Sequence, residues 1–272
     1  MNEASAQKGQ AVSSFTEALR VQASVIGALI MRELHTRYGK RGLGYIWLFL
    51  EPMLLAVMVV SLKMFAKDRH YGAGIGVVPF IVLGYTMFIM FRGIWNRADS
   101  ALEANLPLMY HRMVTVFDIL MSRALLEAAA SMAAFVFLVS LCILLDMADP
   151  PARPLYFITG FLQYFWFSFA LSMIICGATY ENTTLQKFVH PISYILLPLS
   201  GAFYMVKWVP HNYHGLIGYW PMASMFEEMR YGWFEAAPED YFFPGYVVAC
   251  CMVLTLLGLL SIKLVRRKVE LK

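Results

Sequence analysis

The sequence predicts an all-α integral membrane protein with six transmembrane helices, and three observations support this fold class. Of its 272 residues, 60% are hydrophobic and only 15% are charged, and the mean hydropathy is +0.59. Soluble proteins carry about 25% charged residues, so this composition excludes a water-soluble globule, and its hydrophobicity also excludes intrinsic disorder. The apolar residues gather into membrane-length runs whose ends are marked by charged residues.

Six apolar runs are long enough to cross a bilayer. A helix that rises about 1.5 Å per residue needs about 20 residues to span a hydrocarbon core about 30 Å thick. The runs cover residues 42–62, 71–91, 128–145, 154–180, 188–206 and 241–262. In the fifth run, Pro191, Pro198 and Gly201 predict a kink or a break. The six runs together predict one transmembrane domain, residues 42–272.

The distribution of Lys and Arg predicts the orientation of this domain. When the N-terminus is taken as cytoplasmic, most of these residues fall in the cytoplasmic segments, notably before residue 42 and after residue 262. The positive-inside rule therefore places both termini in the cytoplasm. The net charge of +4 reflects this topology. A nucleic-acid partner is not expected, since it would need the charge clustered on a soluble face.

The N-terminal segment, residues 1–41, predicts a polar cytoplasmic tail followed by an interfacial helix. Phe15, Leu19 and Ile26 recur at roughly helical spacing, with basic and polar residues between them. This pattern is typical of an amphipathic helix that lies in the inner-leaflet interface with its apolar face towards the lipid. The alternative is a basic anchor that only sets the topology.

A second segment outside the six runs, residues 208–234, lies between the fifth and sixth helices on the predicted periplasmic side. It is aromatic and moderately apolar, but Pro210 and Pro221 interrupt it, so it is too broken to span the bilayer. We expect a pair of short re-entrant helices that dip into the outer leaflet. Such helices are tolerated only where protein covers their backbone ends.

The sequence predicts no catalytic or metal site. Gly39-Lys40 lacks the upstream glycine and the following Ser or Thr of a P-loop, so this chain is not expected to bind ATP. His211 and His214 have no third metal ligand nearby. We therefore expect no enzymatic activity and no bound cofactor. Glu51, at the middle of the first run, either faces a water-filled path or bonds to backbone freed by the adjacent proline.

Several motifs resemble a known family of membrane proteins. The segments RELHTRY at 32–38, GLGYIW at 42–47 and EPMLL at 51–55 resemble the start of the second transmembrane type of ABC exporter permease. More narrowly, HPISY at 190–194 and PLSGAFY at 198–204 resemble the inner-membrane permease of bacterial capsule polysaccharide exporters. The resemblance covers essentially the whole chain.

This resemblance implies a set of partners and a mechanism. Two copies of the chain form the membrane core, and two copies of a separate ATPase bind ATP and Mg beneath it. A channel between the two copies passes a lipid-linked, usually anionic polysaccharide. Periplasmic and outer-membrane export proteins extend the conduit.

The resemblance also implies contacts with the ATPase. A coupling helix would lie near residues 99–112, with the contact residues Leu102, Glu103, Leu106 and Tyr110. Glu181, in the short turn before the fifth helix, would make a second contact. The alternative for the first of these segments is an ordinary solvated turn.

Two further groups of residues follow from the resemblance. A phosphorylated lipid terminus would meet a basic cluster at the channel entrance, beside the interfacial helix as a gate: Arg32, Arg37, Lys40 and Arg41. The channel wall would come from the first and fifth helices: Tyr45, Trp47, Phe49, Glu51, Tyr194 and Tyr204. Positive-inside topology alone would also produce the basic cluster, and lipid contact would also explain any single aromatic residue.

Three other functions stay open at this point. A permease of the same class could export another polysaccharide, a lipid or a drug. A stand-alone channel or secondary transporter would work without an ATPase. A purely structural membrane scaffold would leave no transport defect on deletion.

Overall fold

A computed structural model describes residues 3–38, 70–71, 75–105, 114–180 and 182–270, together with the single positions 54, 57 and 61. Within these residues the chain is almost entirely helical. The helices are α1 (Glu3–Tyr38), α2 (Val77–Asn96), α3 (Val116–Leu144), α4 (Pro154–Thr179), α5 (Thr183–Leu199), α6 (His214–Gly218), α7 (Pro221–Trp233) and α8 (Pro244–Glu270). Short 3-10 turns cover Glu103–Asn105, Val206–Trp208 and His211–Tyr213.

Four of these helices are long and apolar enough to cross a membrane. They are α2, α3, α4 and the part of α8 from Pro244 to Val265. They correspond to the predicted spans 71–91, 128–145, 154–180 and 241–262. The predicted first span, 42–62, lies outside the described residues.

The second span begins later than predicted. Residues 71–76 carry three glycines, which disfavour a helix. Here the chain forms a two-residue antiparallel ladder, β1 (His70–Tyr71) with β2 (Ile75–Gly76). α2 then starts at Val77 and continues to Asn96, so Arg92 lies inside the helix and does not mark its end.

The third span begins earlier than predicted, because α3 has a capping box that the apolar run did not reveal. The Thr115 hydroxyl accepts from the Asp118 backbone N–H, and the Asp118 carboxylate accepts from the Thr115 backbone N–H. This reciprocal pair satisfies helix-terminal donors and starts the helix at Val116. The charged residue Glu127, expected to bound the span, therefore lies within α3.

The fifth span is shorter than predicted. α5 has 17 residues and contains both Pro191 and Pro198. The chain leaves the helix at Ser200, and Gly201 adopts φ +85°, a left-handed conformation that favours glycine. The predicted break is therefore confirmed at Gly201, and residues 200–203 form a turn.

The helices define a bundle with two ends. At one end, which we call the α1 end, Gln22 of α1 donates to Asp118 of α3 at 3.0 Å, and Gly177 of α4 packs directly against Ser261 of α8. At the opposite end, the distal end, the Arg153 backbone N–H donates to the Gly232 carbonyl at 2.8 Å. The helices α1 and α8 therefore both reach the α1 end. Its location in the cytoplasm stays a prediction.

The core of the bundle lies between α2, α4 and α7. Tyr164 of α4 is fully buried, and its ring centroid is 6.1 Å from Phe91 of α2 and 5.1 Å from Phe226 of α7. The predicted segment 208–234 does form two short helices, α6 and α7, and most of α7 is buried against α4. The depth at which α7 would lie in a bilayer stays a prediction.

Gly84 of α2 gives a direct test of this packing. A Cβ atom at Gly84 would lie 1.9 Å from the Ala202 carbonyl oxygen in the turn after α5. We predict that Gly84→Ala destabilises the protein by about 1–3 kcal/mol, because the backbone of the turn must move. The measurement is the melting temperature of the detergent-purified protein, followed by tryptophan fluorescence.

Gly245→Ala in the first turn of α8 is the matched control, because no atom lies within 4 Å of a Cβ built there. It should melt like the unmodified chain. Equal melting temperatures for the two alanine variants would contradict the close approach of α2 to the turn.

Candidate functional site

A set of polar contacts, which we call the α1 network, fastens α1 to the rest of the bundle. The Arg123 Nε of α3 lies 3.4 Å from Glu33 Oε1, and Arg32 donates to Asn105 Oδ1. The part of α1 before Gln22 is exposed, including the apolar residues Phe15 and Leu19. α1 is thus fastened through its second half, by these polar contacts and by the buried Leu29, and the interfacial position of its first half stays a prediction.

The turn at residues 97–105 is held by the same network. Arg97 Nε lies 3.0 Å from Glu127 Oε1, and Arg123 Nη1 donates to the Arg97 carbonyl at 3.0 Å. Arg123 therefore contacts both α1 and this turn. Since α3 carries both Arg123 and Glu127, the turn is fixed between α1 and α3.

This turn contains part of the predicted coupling segment. Glu103 is exposed, as expected for a contact with a partner, but Leu102 is only 2% exposed. The Leu102 side chain packs into the core, so it is not positioned as a surface contact here. The other predicted contacts, Leu106, Tyr110 and Glu181, lie outside the described residues.

A second line of contacts, the α2–α5 seam, joins the end of α2 to α5. His190 Nε2 lies 3.6 Å from Asp99 Oδ2, the Trp95 indole N–H donates to the Val189 carbonyl at 2.9 Å, and Arg92 stacks on Tyr194. These contacts connect α5 to the same turn that α1 holds. Apart from Val189 and Ser193, the residues of α5 are exposed or half-buried within this chain.

Among the predicted entrance residues, Arg32 is the one whose side chain the structure describes. The guanidinium of Arg32 points towards Asn105 in the turn. The side chain of Arg37 and residues Lys40 and Arg41 lie outside the described residues. The entrance cluster stays a prediction. The structural role of Arg32 is its contact with Asn105 of the turn.

Of the predicted channel residues, two are described, one within α5 and one after its end. Tyr194 is in the α2–α5 seam and is 58% exposed. Tyr204 follows the helix, and its hydroxyl donates to the Leu199 carbonyl at 3.4 Å. The remaining predicted wall residues are outside the described residues: Tyr45, Trp47, Phe49 and Glu51.

At the distal end, a fully buried arginine holds the turn after α5. The Arg230 guanidinium of α7 donates to the carbonyls of Gly201, Ala202 and Tyr204 at 2.6–2.9 Å. Its carbon also lies 4.2 Å from the centre of the Phe80 ring of α2. We call this arrangement the Arg230 clamp. It satisfies backbone carbonyls of the chain after α5, which would otherwise be buried without a donor.

Glutamates beside Arg230 complete the clamp. Glu227 Oε1 accepts from the Val206 backbone N–H at 3.0 Å and lies 3.4 Å from Arg230 Nη1. Glu228 Oε1 accepts from the Thr159 hydroxyl of α4 at 2.7 Å. Sequence reasoning missed this function. The only signal was the presence of charged residues within an otherwise apolar segment.

At the distal end, both ring nitrogens of His214 have partners within the protein. His214 Nε2 lies 2.7 Å from the Val209 carbonyl, and its Nδ1 lies 3.3 Å from the Tyr241 hydroxyl. In the part of the chain that the structure describes, no group of three potential metal ligands occurs. The geometry therefore indicates structural polar clusters at both ends of an apolar bundle.

Comparison with known proteins decides the family. The chain is 34% identical to the capsule polysaccharide export inner-membrane protein BexB of Haemophilus influenzae, over 95% of this chain and 97% of BexB. It is 35% identical, with the same coverage, to the capsule polysaccharide export inner-membrane protein CtrC of Neisseria meningitidis serogroup A. The chain belongs to the capsule polysaccharide export inner-membrane protein family.

A more distant relative extends this family. The polysialic acid transport protein KpsM of Escherichia coli is 29% identical over 88% of the chain and 91% of its own length. A scan against protein-family models finds no match. The similarity to the capsule export family spans almost the whole chain.

In this member of the capsule export family, the Arg230 clamp should be the most sensitive point of the distal end. We predict that Arg230→Gln destabilises the protein by about 3–5 kcal/mol, because it leaves Glu227 and several carbonyls buried without their partner. Arg230→Lys should destabilise the protein less than Arg230→Gln does, since lysine keeps the positive charge. The measurement is the melting temperature together with the fraction recovered as a monodisperse species.

Arg20→Gln on the exposed face of α1 is the control for loss of an arginine. Arg20→Gln should leave both the melting temperature and the monodisperse fraction unchanged. Unchanged stability of Arg230→Gln would show that the turn after α5 does not need the clamp.

Proposed function

We propose that this chain is the transmembrane subunit of an exporter that moves lipid-linked capsular polysaccharide across the bacterial inner membrane. The observation that carries the proposal is the 34–35% identity to BexB and CtrC over nearly their full lengths. Both relatives are named as capsule polysaccharide export inner-membrane proteins. Four helices with the length and composition of membrane spans support an integral membrane subunit.

The energy for export comes, in this proposal, from a separate ATPase that binds ATP and Mg. Its two copies would dock at the α1 end, which positive-inside topology places in the cytoplasm with both termini. The exposed Glu103 supports the turn at 97–105 as a docking surface. This turn is tied to α1 through Arg123 and to α5 through Asp99 and His190.

These ties supply a physical route from the ATPase to the channel. Displacement of the turn would move Asp99 and the end of α2, and the α2–α5 seam would pass that movement to α5. A contiguous set of packed and hydrogen-bonded side chains can carry coupling of this kind. Proximity alone does not show that the α2–α5 seam carries this coupling, so a measured change in coupling is needed.

The channel, in this proposal, forms between two copies of the chain. α5 leaves apolar residues such as Ile195 and Leu199 more than half exposed, which supports a surface that meets a second copy or lines a path. The first predicted span, 42–62, would supply the other part of the wall. Periplasmic and outer-membrane export proteins would receive the polymer at the distal end.

Deletion of the gene in its own bacterium tests the function. We predict loss of surface polysaccharide and its accumulation inside the cell, with both reversed by a plasmid copy. Surface and internal polymer are measured separately, by antibody or lectin labelling before and after permeabilisation. Normal surface polymer with a new sensitivity to drugs would favour a drug exporter and would contradict the proposal.

A charge reversal in the turn at 97–105 tests the ATPase contact. We predict that Glu103→Lys reduces co-purification of the ATPase and lowers surface polysaccharide, since a contact residue at an interface is sensitive to reversal of its charge. The readouts are the amount of ATPase retained and the ATP turnover of the purified complex.

Glu235→Lys makes the same change at an exposed site at the distal end and is the matched control. It should retain the ATPase fully. Equal retention of the ATPase by both variants would show that Glu103 is not part of the interface. Transport by the purified chain with no ATPase present would instead favour a stand-alone channel.

A further inference from the structure

Arg92 is a charged residue within a membrane-spanning helix, and it lies in the α2–α5 seam. Its guanidinium carbon is 3.9 Å from the centroid of the Tyr194 ring. A cation inside a spanning segment is costly unless it is paired or solvated, so such residues commonly mark functional sites.

The surroundings of Arg92 differ from those of other arginines in the bundle. Four of these donate to, or pair with, oxygen atoms of the protein: Arg97, Arg123, Arg153 and Arg230. Among the residues that the structure describes, Arg92 has no carboxylate or carbonyl partner, and the Tyr194 ring is its contact. Within the described residues, the charge of Arg92 is therefore without a counter-ion.

The geometry of α5 places this pair on the outward side of the seam. Ile192 and Leu196 line an apolar cavity of about 570 Å³ between α2, α4, α7 and α8. Tyr194 lies two residues from each of them, and a helix turns about 100° per residue, so its side chain projects to the opposite side. Its 58% exposure agrees with this placement.

We infer that Arg92 and Tyr194 form a binding site for the acidic groups, carboxylate or phosphate, of the exported polysaccharide. The inference rests on the proposed function, in which α5 forms part of the channel wall. Within the seam, this pair lies farthest from the α1 end, and the Asp99–His190 contact lies nearest to it. A polymer that enters at the α1 end would therefore pass Asp99 and His190 before it reaches Arg92.

The chemistry of the pair suits a passing polyanion. A guanidinium that stacks on an aromatic face keeps its N–H donors in its own plane, where they can bind a carboxylate or phosphate through two hydrogen bonds. The tyrosine ring holds the guanidinium in place, so less side-chain freedom is lost on binding. The site binds an acidic group and does not select one sugar. It can therefore bind each acidic repeat in turn as the polymer passes.

The test measures binding by the purified full-length chain in nanodiscs of phosphatidylcholine. The probes are a short oligomer of sialic acid, which carries one carboxylate per sugar, and a neutral dextran of similar length. We expect Arg92→Gln to weaken oligosialic acid binding about tenfold, as expected for a lost charge-assisted pair. The affinity of Arg92→Lys for oligosialic acid should lie between the affinities of the unmodified chain and Arg92→Gln. Dextran binding should not change.

Arg153→Gln is the matched control, because Arg153 stacks on Tyr231 at 4.2 Å in the same manner but at the distal end. It should bind oligosialic acid like the unmodified chain. Equal weakening by Arg92→Gln and Arg153→Gln would overturn the inference. If Arg92→Gln does not yield a monodisperse protein, Arg92→Lys and Tyr194→Leu decide, and unchanged binding by both would overturn it.

A lipid headgroup could supply the same phosphate chemistry, so the measurement is repeated in nanodiscs that contain phosphatidylglycerol. Undiminished oligosialic acid binding there supports the polysaccharide as ligand. Complete displacement, with phosphatidylglycerol retained by the unmodified chain and lost from Arg92→Gln, would assign the site to lipid and overturn the inference.

Export in cells separates this inference from the proposed function. If deletion abolishes surface polysaccharide but Arg92→Gln leaves its rate of appearance unchanged, the site is wrong and the function stands. If deletion leaves surface polysaccharide intact, the proposed function fails whatever the binding measurement gives.

Discussion

The distal end of the bundle depends on one buried guanidinium. α5 ends at Leu199, and the turn after it presents carbonyl groups to an apolar interior in which unsatisfied polar atoms cost several kcal/mol. Arg230 donates to three of these carbonyls, pairs with Glu227 and packs on the ring of Phe80. One side chain of α7 therefore fixes the end of α5, the following turn and their position against α2. Gly84 of α2 approaches Ala202 of that turn closely, because glycine has no Cβ atom to collide with the Ala202 carbonyl.

The α1 end is stabilised by a different arrangement of charge. There the polar contacts are distributed, and Arg123, rather than a single clamp, links α1 with the turn after α2. The Arg123–Glu33 pair is largely buried, with side-chain exposures of 12% and 11%, so removal of either partner would leave a charge with little access to water. Because several such pairs are linked, a displacement of the turn would be shared by α1 and α3.

The sequence was sufficient to predict the helical class, four of the spans and the interruption after α5, because each depends on local composition. Hydrophobic run length identifies a span, and glycine with proline identifies a break. The predicted starts of α2 and α3 were wrong by several residues. The glycines before Val77 and the capping box at Thr115 act through backbone geometry, which a hydropathy count does not include.

The site was less predictable than the fold. Leu102 was expected at the surface because the resemblance implied a contact with the ATPase, yet it packs into the core. Arg32 was grouped with neighbouring cations at the implied entrance, whereas its actual partner, Asn105, is distant in sequence. Arg92 was not singled out. Each case depends on which side chains meet across helices, and a single sequence does not contain that information.

The length of α5 has a consequence for the bilayer itself. Its 17 residues give a helix about 25 Å long, shorter than a hydrocarbon core about 30 Å thick. A hydrophobic mismatch of this size is relieved by local thinning of the membrane or by coverage with protein. If α5 lines the path of the polymer, the low-dielectric barrier is narrowest there, so a highly charged chain would cross the membrane at its thinnest point.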